Sequence, residues 1–142
     1  VSIEPRIERK EIFSEKDSFY RKFELTYVFG SEEDLLTLRK IQGVPLYRVP
    51  LNLTQQQNQA LLLDIVEKAK KLRKAPEWYH PWTNSSHGNL ITHLEKAFGQ
   101  LKFYQMIQYN PDHLLQLLHN YEAIKINTTS IDQIRKKTKV LP

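Results

Sequence analysis

The chain has 142 residues, a formal charge of +5, 40% apolar and 26% charged residues, proportions that fit one compact domain, 1–142, with a real core. No apolar run approaches the ~20 residues that span a bilayer. The absence of cysteine excludes disulfides, thiolate–metal sites and a cysteine nucleophile from this sequence. No signal peptide is visible and the first residue is Val1, so the chain reads as a mature form or an excised piece whose natural start lies upstream.

Residues 1–12 carry Ile3, Ile7 and Ile12 among charges and can be extended. From Arg21 to Phe29 the pattern alternates: Phe23, Leu25, Tyr27 and Phe29 share one face of a predicted strand that Gly30 ends. Ser31 with Asp34 opens a short helix to about Ile41. Gly43 and Pro45 break it, and Leu46–Leu51 is a second extended run. Thr54 with Gln57 forms a capping box for a helix over 55–74, with Leu61, Leu62, Ile65, Val66, Ala69 and Leu72 as its apolar stripe. After Pro76 comes an aromatic loop with Trp78, Tyr79 and Trp82. Leu90, Ile91, Leu94, Ala97 and Phe98 then repeat at helical spacing, with Gly99 as the closing residue. A helix with Leu114, Leu115, Leu117 and Leu118 starts near Asn110–Pro111, and Ser130 with Gln133 caps a last one. The expected fold is α+β: a small, mostly antiparallel sheet from 1–12, 21–29 and 46–51, covered by the helices over 55–74 and 87–98.

The charge excess gathers at Lys68, Lys70, Lys71, Arg73 and Lys74, and at Arg135, Lys136, Lys137 and Lys139. An anionic membrane surface or nucleic acid is one reading. Cations that close helices are the preferred one, and no aromatic residue lies in either cluster to stack on bases. Nucleic acid is therefore not favoured, and nothing in the residues sets an oligomeric state.

The segment from Trp78 to His93 is the one candidate for chemistry. Small polar residues, Thr83-Asn84-Ser85-Ser86, sit where a helix begins. A helix start presents unpaired N–H groups and partial positive charge, which favour an anionic nucleophile or an oxyanion. Ser and Asn are also preferred caps, and from composition alone capping is favoured over catalysis. His80, His87, His93, His113 and His119 make no HExxH-like pair, so zinc is not expected; with only four glycines there is no Gly-rich phosphate loop, and no cofactor is expected.

This segment resembles the signature of the bacterial Lnb N-terminal periplasmic domain family, which runs Trp-Tyr-Asn, then Thr-x-Asn-Cys-Thr-Thr-Asn-Ile, a helix, and often a His. Here it reads Trp78-Tyr79-His80, then Thr83-Asn84-Ser85-Ser86-His87-Gly88-Asn89-Leu90, with His93 following. In the ungapped register Ser86 falls on the cysteine position; a one-residue slip would pair Asn84-Ser85 with Asn-Cys, but would lose Asn89 and His93. Phe23-Glu24-Leu25-Thr26-Tyr27-Val28 before Glu33-Asp34-Leu35, and the order of later helices, are similar to the family as well.

The resemblance implies a partial papain-like domain of the bacterial envelope, an acyltransferase or hydrolase acting on lipoproteins or lipids. It implies Ser86 as the nucleophile position, with Asn84, Ser85, Asn89, Tyr79 and Trp82 as a substrate or oxyanion site. Ser86 is expected within one turn of the helix start, facing a cleft edged by Tyr79 or Trp82. The family's His-bearing strand would precede Val1, so the domain is expected to be inactive or incomplete as written. Whether Ser86 is natural, engineered or degenerate stays open. The alternative is a non-catalytic envelope module that binds a partner through the aromatic loop.

Overall fold

The computed structural model describes residues 1–41, 46–99, 111–126, 128 and 130–140, without the side chains of Leu38 and 111–113. The predicted break at Gly43 and Pro45 and the start at Asn110 lie outside them. The chain divides into two compact units, Val1–Phe29 with Thr54–Tyr109 and Gly30–Leu53 with Asn110–Pro142.

In the first unit, strand β1 (Ser2–Arg6) pairs antiparallel with β2 (Glu24–Val28), in the register Ser2↔Val28 to Arg6↔Glu24. The alternation in β2 buries Phe23, Leu25 and Tyr27 on one side, as its period of two requires. Phe29 does not share that face; it lies past the strand and is 52% exposed. Between the strands, Ser14 accepts from the Asp17 N–H and starts a short helix, α1 (Glu15–Phe19), in a stretch where the sequence reading placed none. The extended run also stops at Arg6 rather than at Ile12, since the Glu11 N–H turns back onto Glu8 O at 2.9 Å.

Helix α3 (Gln55–Lys74) opens on the predicted box: Thr54 Oγ1 accepts from Gln57 N, and Gln57 Oε1 from Thr54 N. It packs against α4 (Ser86–Phe98) and β2. Ile65, Ala69 and Leu72 join Leu25, Tyr27, Ile3 and Tyr79 in one core cluster. Leu62 is 56% exposed, so the buried stripe is narrower than predicted. Gly99 ends α4 in the left-handed conformation, φ 70°, its N–H on Glu95 O.

In the second unit, Ser31 Oγ accepts from Asp34 N at 3.1 Å and starts helix α2 (Glu32–Ile41). Helices α5 (Pro111–Asn120) and α6 (Ile131–Thr138) pack together around Leu114, Leu115, Leu118 and Ile134. Ser130 is the N-cap residue of α6 by position, but its side chain makes no cap bond; Gln133 is bonded to Thr128 instead. The expected strand over 46–51 does not join the sheet. It bridges at Tyr47↔Lys139 and Leu51↔Ile124, with Lys125 N on Pro50 O at 2.9 Å, so its backbone groups are taken by the end of the chain. The architecture is α+β, with a two-stranded antiparallel sheet and six helices among the described residues.

Candidate functional site

The loop after α3 is positioned by the sheet. Leu25 N donates to Glu77 O and Tyr79 N to Phe23 O, both at 2.8 Å, so residues 77–79 line the edge of β2 that β1 leaves open. Alternation then sends Tyr79 into the core cluster and leaves Trp78 50% exposed. The chain turns back on itself between His80 and Asn84, whose backbones bond each other at 3.3 and 3.0 Å. His80 Nδ1 accepts from the Trp82 and Thr83 N–H groups, which closes the turn. At its tip Trp82 is 58% exposed and meets Phe19 edge-on, with ring centroids 5.2 Å apart.

Helix α4 begins directly after this turn. Ser85 is its N-cap in the extended conformation, and its buried Oγ accepts from Gly88 N at 3.0 Å. Ser86 is the first helical residue and is half-buried. This is the place expected for it, within one turn of the helix start. The amides around it are engaged in structure. Asn89 Nδ2 donates to Asn84 Oδ1 and to Ser85 O, each at 2.9 Å. Asn84 Nδ2 donates to Trp78 O at 2.9 Å and to Glu77 Oε2 at 3.3 Å. The two asparagines thus tie the loop to the first turn of α4. Of the predicted site residues, Asn84, Ser85, Ser86 and Asn89 are together; Tyr79 belongs to the core cluster and Trp82 to the aromatic tip.

Two turns along α4, on the same face as Ser86 and Asn89 by helical spacing, lies His93, buried to 2% exposure. Its Nδ1 meets Asp64 Oδ2 of α3 at 2.5 Å, and its Nε2 meets the Tyr27 hydroxyl at 2.7 Å. Tyr27 also reaches Asn89 Oδ1 at 3.3 Å. Lys96 donates to the other Asp64 oxygen at 2.7 Å. Burial pushes the Asp64 carboxyl up, but the hydrogen bonds from Lys96 and His93, with their charges, outweigh it and hold Asp64 below the ordinary carboxylate value. Burial foremost, then the Asp64 and Glu77 carboxylates, push the Tyr27 phenol far above its usual range, so it keeps its proton.

Sequence reasoning found the helix start and missed this seam. Asp64 and Lys68 fall among the apolar positions of α3, where a polar residue facing the interior needs a partner; that was the available signal. Lys68 finds Glu77 at 2.6 Å and Asp64 finds His93. Of the other cations in the two clusters, Lys71, Arg73 and Lys74 stand in the last turn of α3 with Lys70 just before it, and Arg135, Lys136 and Lys137 in the last turn of α6 with Lys139 as its C-cap. Among the described residues, no group of three or more His, Asp or Glu could hold a metal ion, and no helix is long and apolar enough to cross a membrane.

A family model described as the Lnb N-terminal periplasmic domain matches residues 1–121. No curated protein and no solved structure matches the chain.

Proposed function

This chain belongs to the Lnb N-terminal periplasmic domain family, and we propose that the start of its helix α4 is an acyl-handling site with residue 86 at the attacking position. The family is periplasmic and bacterial, so the chain is a domain of the bacterial envelope. The observation that carries the proposal is local. The Ser85 hydroxyl is buried and accepts from Gly88 N as the cap, whereas Ser86, the first residue of α4, is half-buried, so the side chain offered at the helix start is that of Ser86.

Chemically, a nucleophile there would add to an acyl carbonyl of a lipid or lipoprotein and release an alcohol or amine. The helix start favours the thiolate form of a cysteine and the negative charge that develops on the carbonyl oxygen. Serine is a weaker choice at this place, because a hydroxyl needs an adjacent base far more than a low-pKa thiol does. Two nearby imidazoles are committed elsewhere: His80 Nδ1 to the turn, and His93 to Asp64 and Tyr27. On this reading, serine at position 86 makes a low-activity form of an acyltransferase or hydrolase. Incubation of Ser86→Cys with an acyl thioester, followed by peptide mass mapping, should place an acyl group on residue 86. Acylation elsewhere only, or none, refutes the proposal.

The exposed ring tips favour a second reading. Trp78 and Trp82 are 50% and 58% exposed, which suits a module that docks an envelope partner through the aromatic loop. Loss of a bound partner on replacing both tryptophans with alanine, alongside an unreactive residue 86, would select that reading.

A further inference from the structure

His93, Tyr27 and Asn89 form a chain of side chains whose hydrogens have only two consistent arrangements. Asp64 is ionised and can only accept, so the short contact to His93 Nδ1 fixes a proton on that nitrogen. The variable nitrogen is Nε2, which faces the Tyr27 hydroxyl at 2.7 Å. The orientation of the Asn89 amide is also fixed: Ser85 O is a carbonyl, so the group bonded to it is Nδ2, and Oδ1 is left facing Tyr27.

When His93 is neutral, the single phenolic hydrogen of Tyr27 points at Nε2, and the 3.3 Å contact to Asn89 Oδ1 carries no hydrogen. When His93 is protonated, its Nε2–H donates to the phenol oxygen, and the phenolic hydrogen must swing to Asn89 Oδ1. Asn89 has both of its own hydrogens on Asn84 Oδ1 and Ser85 O, the two residues before Ser86. A donor on Oδ1 polarises the amide and strengthens those two bonds.

The geometry points to a hydrogen-bond relay in which a proton taken up from solvent by His93 turns the Tyr27 hydroxyl from Nε2 to Asn89 Oδ1, and so alters the bonds that Asn89 makes at the start of α4, making His93 a positioning residue for that turn. The charged and titratable groups around the relay are Asp64 from α3, Tyr27 from β2, Lys96 from α4 itself, and the Lys68–Glu77 pair. The charges of β1, Glu4 and Arg6, are bonded to Ser2 and Glu24. The relay accounts for a buried imidazole that the acyl-handling reading does not use. It stands on the hydrogen-bond geometry together with an ionised Asp64, and needs no reactivity at Ser86.

The test is a pH titration of the full 142-residue chain by NMR, reading the His93 ring carbons, the Tyr27 Cζ, the Asn89 side-chain amide and the Ser86 backbone amide. All four should move with one midpoint. In Tyr27→Phe, His93 should still titrate and the Asn89 and Ser86 responses should be lost. A His93 that titrates while Asn89 stays still overturns the relay. So does an Asn89 response that survives Tyr27→Phe, or a His93 that keeps one charge state until the domain unfolds. Should Tyr27→Phe not fold, Tyr27 Cζ decides: a resonance that ignores the His93 midpoint overturns the relay. An unreactive residue 86 with the relay intact would sink the acyl-handling proposal alone.

Discussion

The first turn of α4 and its middle, about 10 Å apart at the helical rise, are held in opposite ways. At the first turn the bonds are short-range: Ser85 Oγ to Gly88 N, Asn89 Nδ2 to Ser85 O and Asn84 Oδ1. In the middle they cross the fold: His93 to Asp64, 29 residues away in sequence, and to Tyr27, 66 away. Local bonds form as soon as the helix does and each is worth little. The cross-fold bonds need α3, α4 and β2 assembled, and breaking one strands a buried polar group. The unit's stability therefore resides in the middle of α4, and the first turn is the part free to carry chemistry.

The largest effect separating the two regions is expected for His93→Ala. It leaves Asp64 and Tyr27 without their shared partner and should cost about 3 kcal/mol in urea unfolding. A cost under about 1 kcal/mol would erase the contrast. Asp64→Asn comes next, at about 2 kcal/mol, since it removes the charge from two charge-assisted bonds. It also carries a pH signature. Because folding holds the Asp64 carboxyl below its ordinary value, its contribution is complete above the unfolded value of ~3.9 and is lost as pH falls through the folded one. Melting temperature followed against pH should therefore drop more steeply below about pH 4 in the parent chain than in Asp64→Asn. Equal slopes would mean that the carboxylate is not held by folding.

Smaller effects belong to the ends of α4. Gly99→Ala places a Cβ on a residue with φ 70° and should cost about 1 kcal/mol through backbone strain. Ser85→Ala removes the cap and should likewise cost about 1 kcal/mol. Ser86→Ala should fall within about 0.5 kcal/mol of the parent. A Ser86→Ala cost as large as that of Ser85→Ala would make Ser86 a structural residue and sharpen the case against chemistry there.

The same contrast explains what was legible in the sequence. Thr54 with Gln57 and Ser31 with Asp34 were readable because their partners lie three residues apart; at α4 the small polar run marked the helix start without telling that Ser85 is its cap. The α+β class followed from the alternation over Phe23–Tyr27 and the long apolar stripe. The segment 46–51 was misplaced because period two shows that a segment is extended, not which backbone it pairs with. Helix α1 was overlooked although Ser14 and Asp17 have the capping spacing, because five residues hold too little period to see. Asp64, a polar residue among the apolar positions of α3, signals a partner in the interior, but His93 and Tyr27 could not be named as that partner from sequence, because only the packing of α3 and α4 on β2 brings them together.

The most direct test of the acyl-handling site is the pH dependence of alkylation in Ser86→Cys. A thiol at the first position of α4 should react with iodoacetamide with a midpoint below the ordinary ~8.5, and the shift should persist in Trp82→Ala, which removes the exposed ring that meets Phe19. A midpoint at the ordinary value, or a thiol that does not react until the domain unfolds, would contradict the claim and leave residue 86 as part of a helix cap.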